Sequence, residues 1–211
     1  HLINIDYKKN SLQIKGSGNI LFQDEEDNLE YSIKKDDKIV NFNSRLVINK
    51  NPFLIDFLAY KKDENSKAII DLKGTHFFSK KTIIESFSFN EKKNILKLDK
   101  LVLDEKLRIN SFNKISLDYF DEDKRENKIE IKKQNNIFKI SGPKFNANSL
   151  IENLITEDRS NNFQIFKKNF DFNIKLDTVF LDKEYLIKDV IGKLSFKKNE
   201  ITNAELNASF S

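Results

Sequence analysis

Apolar residues recur at every second position along most of the chain, and this period-two alternation admits β-strands that are apolar on one face and wet on the other. Ile3, Ile5 and Tyr7 open the pattern, and Leu12, Ile14, Ile20 and Phe22 follow. Next come Leu29, Tyr31 and Ile33, and then Val40, Phe42, Leu46 and Ile48. Phe53, Ile55, Phe57 and Ala59 read as a further strand through Tyr60, with a loop from Lys61 to Lys67. Ile70 and Leu72, Phe87 and Phe89, Leu96 and Leu98, and Leu101 and Leu103 continue it through turns of Asn, Lys, Asp and Glu. Ile115, Leu117 and Tyr119, then Ile129 and Ile131, carry it to the one stretch that breaks it.

That stretch runs from Asn136 to Ile155. Phe138 and Ile140 share one face of a strand, Gly142-Pro143 stops it, and Ser149 and Glu152 stand in capping-box register. Leu150, Ile151, Leu154 and Ile155 form one apolar stripe, which predicts a short amphipathic helix near 149–156, with Leu150 and Leu154 packing it on the sheet. Thr156 to Asn162 reads as a polar connector. Phe170, Phe172, Ile174 and Leu176 then alternate, while Val179 and Leu181 fall out of phase and predict a bulge or turn near Asp177-Thr178. Leu186 and Val190 precede Gly192, Leu194 and Phe196 alternate, and a turn leads into Leu206, Ala208 and Phe210.

Short turns between successive runs imply antiparallel neighbours. The hydrophobic share is 38% and the charged share 33%, so any core is thin or one-sided. Burying a Leu, Ile or Phe side chain contributes about 1.5–3 kcal/mol, so the apolar sheet face has to be covered, and one short helix is too little to do it. Three solutions stay open at this point: a second sheet packed on the first, closure into a barrel, or a curled sheet that holds an apolar ligand.

Residue chemistry points to no reaction. The absence of Cys removes disulfides, thiolate metal sites and a cysteine nucleophile. Net charge is +4, and Lys34-Lys35, Lys61-Lys62, Lys92-Lys93 and Lys197-Lys198 alternate with acids as solvated edges and turns, not as a track for nucleic acid. Asp24-Glu25-Glu26-Asp27-Asn28 lacks the spacing of a calcium loop and reads as an exposed hairpin. His76 stands far from a second ligand, and Asp121/Asp123 sit on a charged loop, so neither a metal site nor an enzyme is expected. Gly16 and Gly18 predict a bulge, a bend or a close backbone approach, because no helix opens after them to cradle a phosphate. The lack of Met and the His at position 1 predict a segment of something longer.

The stretch Phe138 to Ser211 resembles a repeat unit of the AsmA-like superfamily, in its large YhdP-like branch. The residues that carry the resemblance are Gly142-Pro143-Lys144-Phe145-Asn146-Ala147, the helix with Leu150 and Leu154, and Phe172-Asn173-Ile174-Lys175-Leu176-Asp177-Thr178-Val179-Phe180-Leu181. Leu186-Ile187-Lys188-Asp189-Val190, Gly192-Lys193-Leu194-Ser195-Phe196 and Ile201-Thr202-Asn203-Ala204-Glu205-Leu206-Asn207-Ala208 complete it. The family has Asp where Asn146 stands, so helix capping passes to Asn146 or Ser149.

The resemblance implies a mainly β fold, an elongated, curled antiparallel meander forming an open β-groove with one short amphipathic helix. It divides the chain into a β meander over 1–135 and an AsmA-like unit over 136–211, both within one segment of a longer β-groove protein. It implies a non-catalytic, cofactor-free bridge across the periplasm of Gram-negative bacteria, anchored in the inner membrane outside this segment, whose groove carries phospholipid towards the outer membrane. The lining residues would be Phe138, Ile140, Phe172, Ile174, Leu176, Leu194, Phe196, Leu206, Ala208 and Phe210, with acyl chains as the partner. The competing expectation is a structural or adhesive β-sandwich module that binds protein or glycan.

Overall fold

The computed structural model describes residues 1–156, 167–182, 184–197 and 200–210. In chain order its strands begin β1 (Leu2–Lys8), β2 (Ser11–Leu21), β3 (Glu26–Asp36), β4 (Ile39–Ile48), β5 (Leu54–Ile55) and β6 (Tyr60–Lys61). Then come β7 (Ala68–Phe77), β8 (Lys81–Glu91), β9 (Asn94–Asp104), β10 (Ile109–Ser111), β11 (Lys114–Phe120) and β12 (Glu126–Gln134). The last are β13 (Ile137–Asn146), β14 (Phe170–Phe180), β15 (Leu186–Lys197) and β16 (Glu200–Phe210). The one α-helix among the described residues, α1, spans Asn148–Thr156. The chain is mainly β, as its alternation predicts, and no helix among the described residues is long and apolar enough to cross a membrane.

Two compact units share these strands: His1–Phe53 with Lys62–Phe112, and Leu54–Lys61 with Asn113–Ser211. The stretch 136–211 falls wholly in the second. In the first unit the order is β1-β2-β3-β4-β7-β8-β9, with β10 paired to β9. In the second it is β11-β12-β13-β14-β15-β16, and a two-stranded β5-β6 hairpin stands apart from it. Both orders are linear, so neither sheet closes into a barrel, and neither unit by itself is a sandwich of two sheets.

Among the described strands, every pairing within the two units except β13–β14 is antiparallel. β13 and β14 run parallel, because the connection between them contains α1 and returns the chain to the end where β13 began. Nine residues are too few for a helix to persist alone in water, and α1 gains its support by packing beside a 3-10 turn at Asp56–Leu58. That turn corrects the strand expected from Phe53 to Tyr60. Ala59 takes a left-handed conformation (φ 48°), which ends the extended run and buries Leu58 and Tyr60 in place of Phe57.

The first unit also corrects the reading of Leu96 to Leu103 as two runs joined by a turn, since β9 is continuous through it. Leu72 pairs Phe87 and Phe87 pairs Leu98, whereas Gly74 pairs Ile84 and Ile84 pairs Leu101. Leu72 and Gly74 share a face of β7, so Phe87 and Ile84, and Leu98 and Leu101, share it too despite their odd spacing. Glu85 is the extra residue that shifts the phase of β8, and Lys100 (φ 51°) shifts β9 beside it. A break in alternation here is a sideways step within a strand. Gly16 has a different explanation from a bulge: β2 and β3 stay in register throughout, and the Tyr31 ring occupies the space where a Cβ would stand.

Candidate functional site

The ten residues expected to line a groove lie on β13, β14, β15 and β16, and pairing places them on one face. Phe138 pairs Phe172, which pairs Leu194, and Ile140 pairs Ile174, which pairs Gly192 and through it Leu206. Phe170, absent from the expected set, joins them opposite Phe196, and its ring lies 5.3 Å from that of Phe138. Phe172 sits 5.6 Å from Phe138 and meets Phe196 edge-on at 5.8 Å, so four phenyl rings form one cluster. The signal for Phe170 was present in its spacing of two from Phe172.

The face stays apolar across a step in phase. On β12, Ile131 and Lys128 point to opposite faces, and they pair Ile140 and Lys144 on β13. Ile140 and Lys144 therefore oppose one another although both are even-numbered, and Phe145 returns to the face of Ile140. The extra residue lies at Gly142-Pro143. β14 keeps constant register with β13, and β15 with β14, so Val179 and Ile187 follow Phe145 onto that face. Asp189 (φ 52°) makes the step in β15, and β16 absorbs it through a register shift. The bulge or turn expected near Asp177-Thr178 is thus no private feature of β14. It is one tooth of a step that crosses three strands, and Phe145, Val179 and Val190, all buried, belong to this face although the alternation did not single them out.

Along this face β13, β14 and β15 carry buried and half-buried residues, whereas β16 is exposed along its whole length. Phe138 (4%), Phe172 (7%) and Leu176 (6%) are buried, Ile140, Ile174, Leu194 and Phe196 are half-buried, and Leu206 (54%), Ala208 and Phe210 (85%) are open. Of the helix residues, Leu150 lies at the surface with 37% of its area exposed, and the side chain of Leu154 falls outside the described residues. The expected connector from residue 157 onward also lies outside them.

A buried polar network fixes where α1 leaves the sheet. Asp121 Oδ2 accepts from Asn146 Nδ2 (2.7 Å) and Asn127 Nδ2 (3.3 Å), Asn127 Oδ1 accepts from the Asn146 backbone N–H (2.6 Å), and Asn146 Oδ1 accepts from the Asn148 N–H (3.1 Å). Of the two expected caps, Asn146 supplies this oxygen, and Ser149 falls inside the helix, which starts at Asn148. Asp121 is 2% exposed, so its turn is anchored, not the loose charged loop the sequence suggested. Beside it Tyr119 donates to the Leu58 carbonyl at 3.0 Å, and burial, helped by the Asp121 charge, pushes the phenol well above its ordinary range.

The first unit holds a second buried cluster that corrects two readings. Asp27, expected on an exposed loop, is 1% exposed and accepts from the Asn49 N–H and Asn51 Nδ2, each at 2.8 Å. Lys62, expected on a solvated edge, is also 1% exposed. Burial pushes its amine down, and the charges of Glu91 and Asp27 oppose that shift. Glu91 accepts from Ser66 Oγ and from Asn94 Nδ2 (2.6 Å). His76 Nδ1 lies 2.9 Å from Thr82 Oγ1 and its ring stands edge-on to Phe78, a cross-strand contact.

Asp104 and Asp121 open turns of the same design, Asp-Glu-x-x-Arg. In each the Asp N–H donates to the Arg carbonyl, the Asp Oδ1 accepts the Arg N–H, and the fourth residue is left-handed. In the first turn Arg108 Nε and Nη2 also reach Asp104 Oδ2 at 2.8 and 2.6 Å and, with the backbone N–H groups of Arg108 and Lys106, hold its carboxyl down at about 2. Arg108→Ala should move that pKa up towards the ordinary value of about 3.9, read by a carboxyl-detected NMR titration. Because the folded-state pKa is depressed, the stabilisation is complete above the unfolded value and is lost as pH falls from there through the folded one; the variant should have less of it to lose and should finish losing it at a higher pH. A titration that stays near 2 in the variant would assign the whole effect to the backbone donors.

These two clusters and the turns are structural, and the apolar face of β13–β16 is the feature with an unmet chemical need. No protein-family model, curated protein or solved structure matches the chain.

Proposed function

We propose that the chain is a non-catalytic segment of a bridge-like protein of the periplasm, and that the face of β13–β16 carries phospholipid acyl chains between the inner and outer membranes. The observation that carries this reading is the contrast in exposure: one continuous apolar face that is closed at Phe138 and Phe172 and open at Leu206 and Phe210. A wet surface of this kind favours an apolar occupant, and a chain lying along it would exchange water for Leu, Ile and Phe side chains without any tight pocket. Conduction needs weak binding repeated along a surface, so no single anchoring residue is required. Lys193 and Glu205, paired on the opposite face, mark the polar side of the sheet, which lipid would not occupy.

The test uses a photo-reactive benzoylphenylalanine at Leu194, at Leu206 and, on the opposite face, at Glu205, irradiated with phosphatidylethanolamine vesicles. Lipid adducts are expected at the first two positions and not at the third. Equal labelling at all three positions, or none at Leu206, would sink the reading. These sites are preferable to Phe172, whose burial in the ring cluster makes Phe172→Asp a folding defect before it is a binding one.

A further inference from the structure

The polar face of the second unit carries cations without counter-charge. Pairing sets Lys114, Lys132 and Lys139 directly opposite one another on β11, β12 and β13. The same row runs on through Asn173 on β14 and Lys193 on β15 to Glu205 on β16. Lys175 stands two residues from Asn173 and so shares its face. Like charges facing one another across two successive strand pairs repel. Lys114 is relieved by an ion pair to Glu130, and farther along the face Lys128 bonds Asp118 (2.6 Å) and Lys144 bonds Glu126 (3.0 Å). Lys197 pairs Glu200 across β15 and β16, and Lys188, past the phase step, has Asp189 beside it in the chain. Lys132, Lys139, Lys175 and Lys193 are exposed and form no ion pair among the described residues. The acids left near them are Glu205, at the end of the row, and Asp171, which accepts from Ser195 Oγ at 2.7 Å. Four cations against two carboxylates leave a local positive excess.

The sheet is hollowed at this cluster. A cavity of about 400 Å³ is lined by Lys139 and Lys175, by the carboxamides of Gln134, Asn135 and Asn173, and by Ile137. From this juxtaposition we propose that the hollow binds the phosphate group of a small soluble phosphate ester. Neighbouring strands lie about 4.8 Å apart and alternate residues about 6.7 Å apart, so the four unpaired lysines stand on backbone positions within about 10 Å of Asn173. Each ammonium brings a point charge with three N–H donors, and the carboxamides add neutral donors, a set that suits the free oxygens of a phosphate dianion. The cluster is also short, which decides among anions. An acidic polymer following the row would meet Glu205 at one end and the neutralised Lys114–Glu130 pair at the other. No residue of the row or the hollow is aromatic, so a nucleic-acid base would find nothing to stack on. A bilayer surface, wider than the cluster, would press its anionic headgroups on Asp171 and Glu205 as well.

This site lies on the face opposite the acyl-chain path, is independent of that reading and has its own test. The full chain is titrated with glycerol phosphate, and with glycerol as the neutral control, while the carboxamide groups are followed by proton–nitrogen NMR. Saturable shifts are expected at Asn173 and Gln134 with the ester and none with glycerol. Lys139→Gln with Lys175→Gln should weaken binding by at least about tenfold. Lys128→Gln with Lys144→Gln removes the same charge from ion-paired positions of the same face and should weaken it by less than about threefold. All four lysines are exposed, and circular dichroism checks that both variants keep the β signal. Equal weakening in the two variants would reduce the effect to net charge and overturn the proposal, as would shifts that do not saturate. Flotation with phosphatidylglycerol vesicles that the Lys139/Lys175 variant loses, with no response to glycerol phosphate, would also overturn it and assign the cluster to a bilayer surface.

Discussion

Glu91→Ala is expected to destabilise the first unit by about 3–5 kcal/mol, the range for removing one partner from a buried charged cluster. The substitution takes the acceptor from Ser66 and Asn94 and leaves the Lys62 ammonium, 1% exposed, facing a deficit of negative charge. Lys62→Met should also destabilise the unit, because it leaves the buried Glu91 and Asp27 carboxylates without their cation, although Asp27 keeps its donors from Asn49 and Asn51. Urea denaturation followed by far-ultraviolet circular dichroism measures both. If Glu91→Ala behaved like a surface change, within about 0.5 kcal/mol, the cluster would carry no stability.

Gly142→Val carries the second large effect. A Cβ at Gly142 would lie 2.1 Å from the Lys128 carbonyl oxygen and 2.8 Å from Ile129 Cα, both backbone atoms of the neighbouring strand. No rotamer relieves such a contact, so β12 and β13 must separate at the place where the sheet changes phase. A loss of about 3 kcal/mol or more is expected, at the upper end of the range for overpacking. Gly18→Ala is the control: there the nearest atom is His1 Nδ1, the tip of a side chain that can swing away, and a loss below about 1 kcal/mol is expected. Equal melting temperatures for the two variants would refute the close-approach argument.

Much of this was legible in the sequence because alternation is a local property. The strands, the helix near Leu150 and the shared face of Phe138, Phe172 and Leu194 all follow from spacing alone. The misreadings arise where partners distant in the chain set the outcome. Lys62 reads as a surface lysine until Glu91 and Asp27 close around it, and Asp121 reads as loop until Asn127 and Asn146, from the next two strands, bond to it. Phe57 matches a strand pattern, but the left-handed Ala59 turns the chain and puts Leu58 inside. Pairs such as Leu98/Leu101 and Leu176/Val179 carry a trace of the phase step, yet only the registry of neighbouring strands distinguishes a step from a turn.

The step through Gly142-Pro143, Asp177 and Asp189 also binds the lengths of these strands together over evolutionary change. Removing one residue at Asp189 alone would rotate Ile187 and its outer neighbours to the wet side while Val179 stayed in place beside them. A residue gained or lost in one of these three ribbons has to be matched in the other two, like teeth cut on a common gear, or taken up by a register shift of the kind that already separates β12 from β13 and β15 from β16.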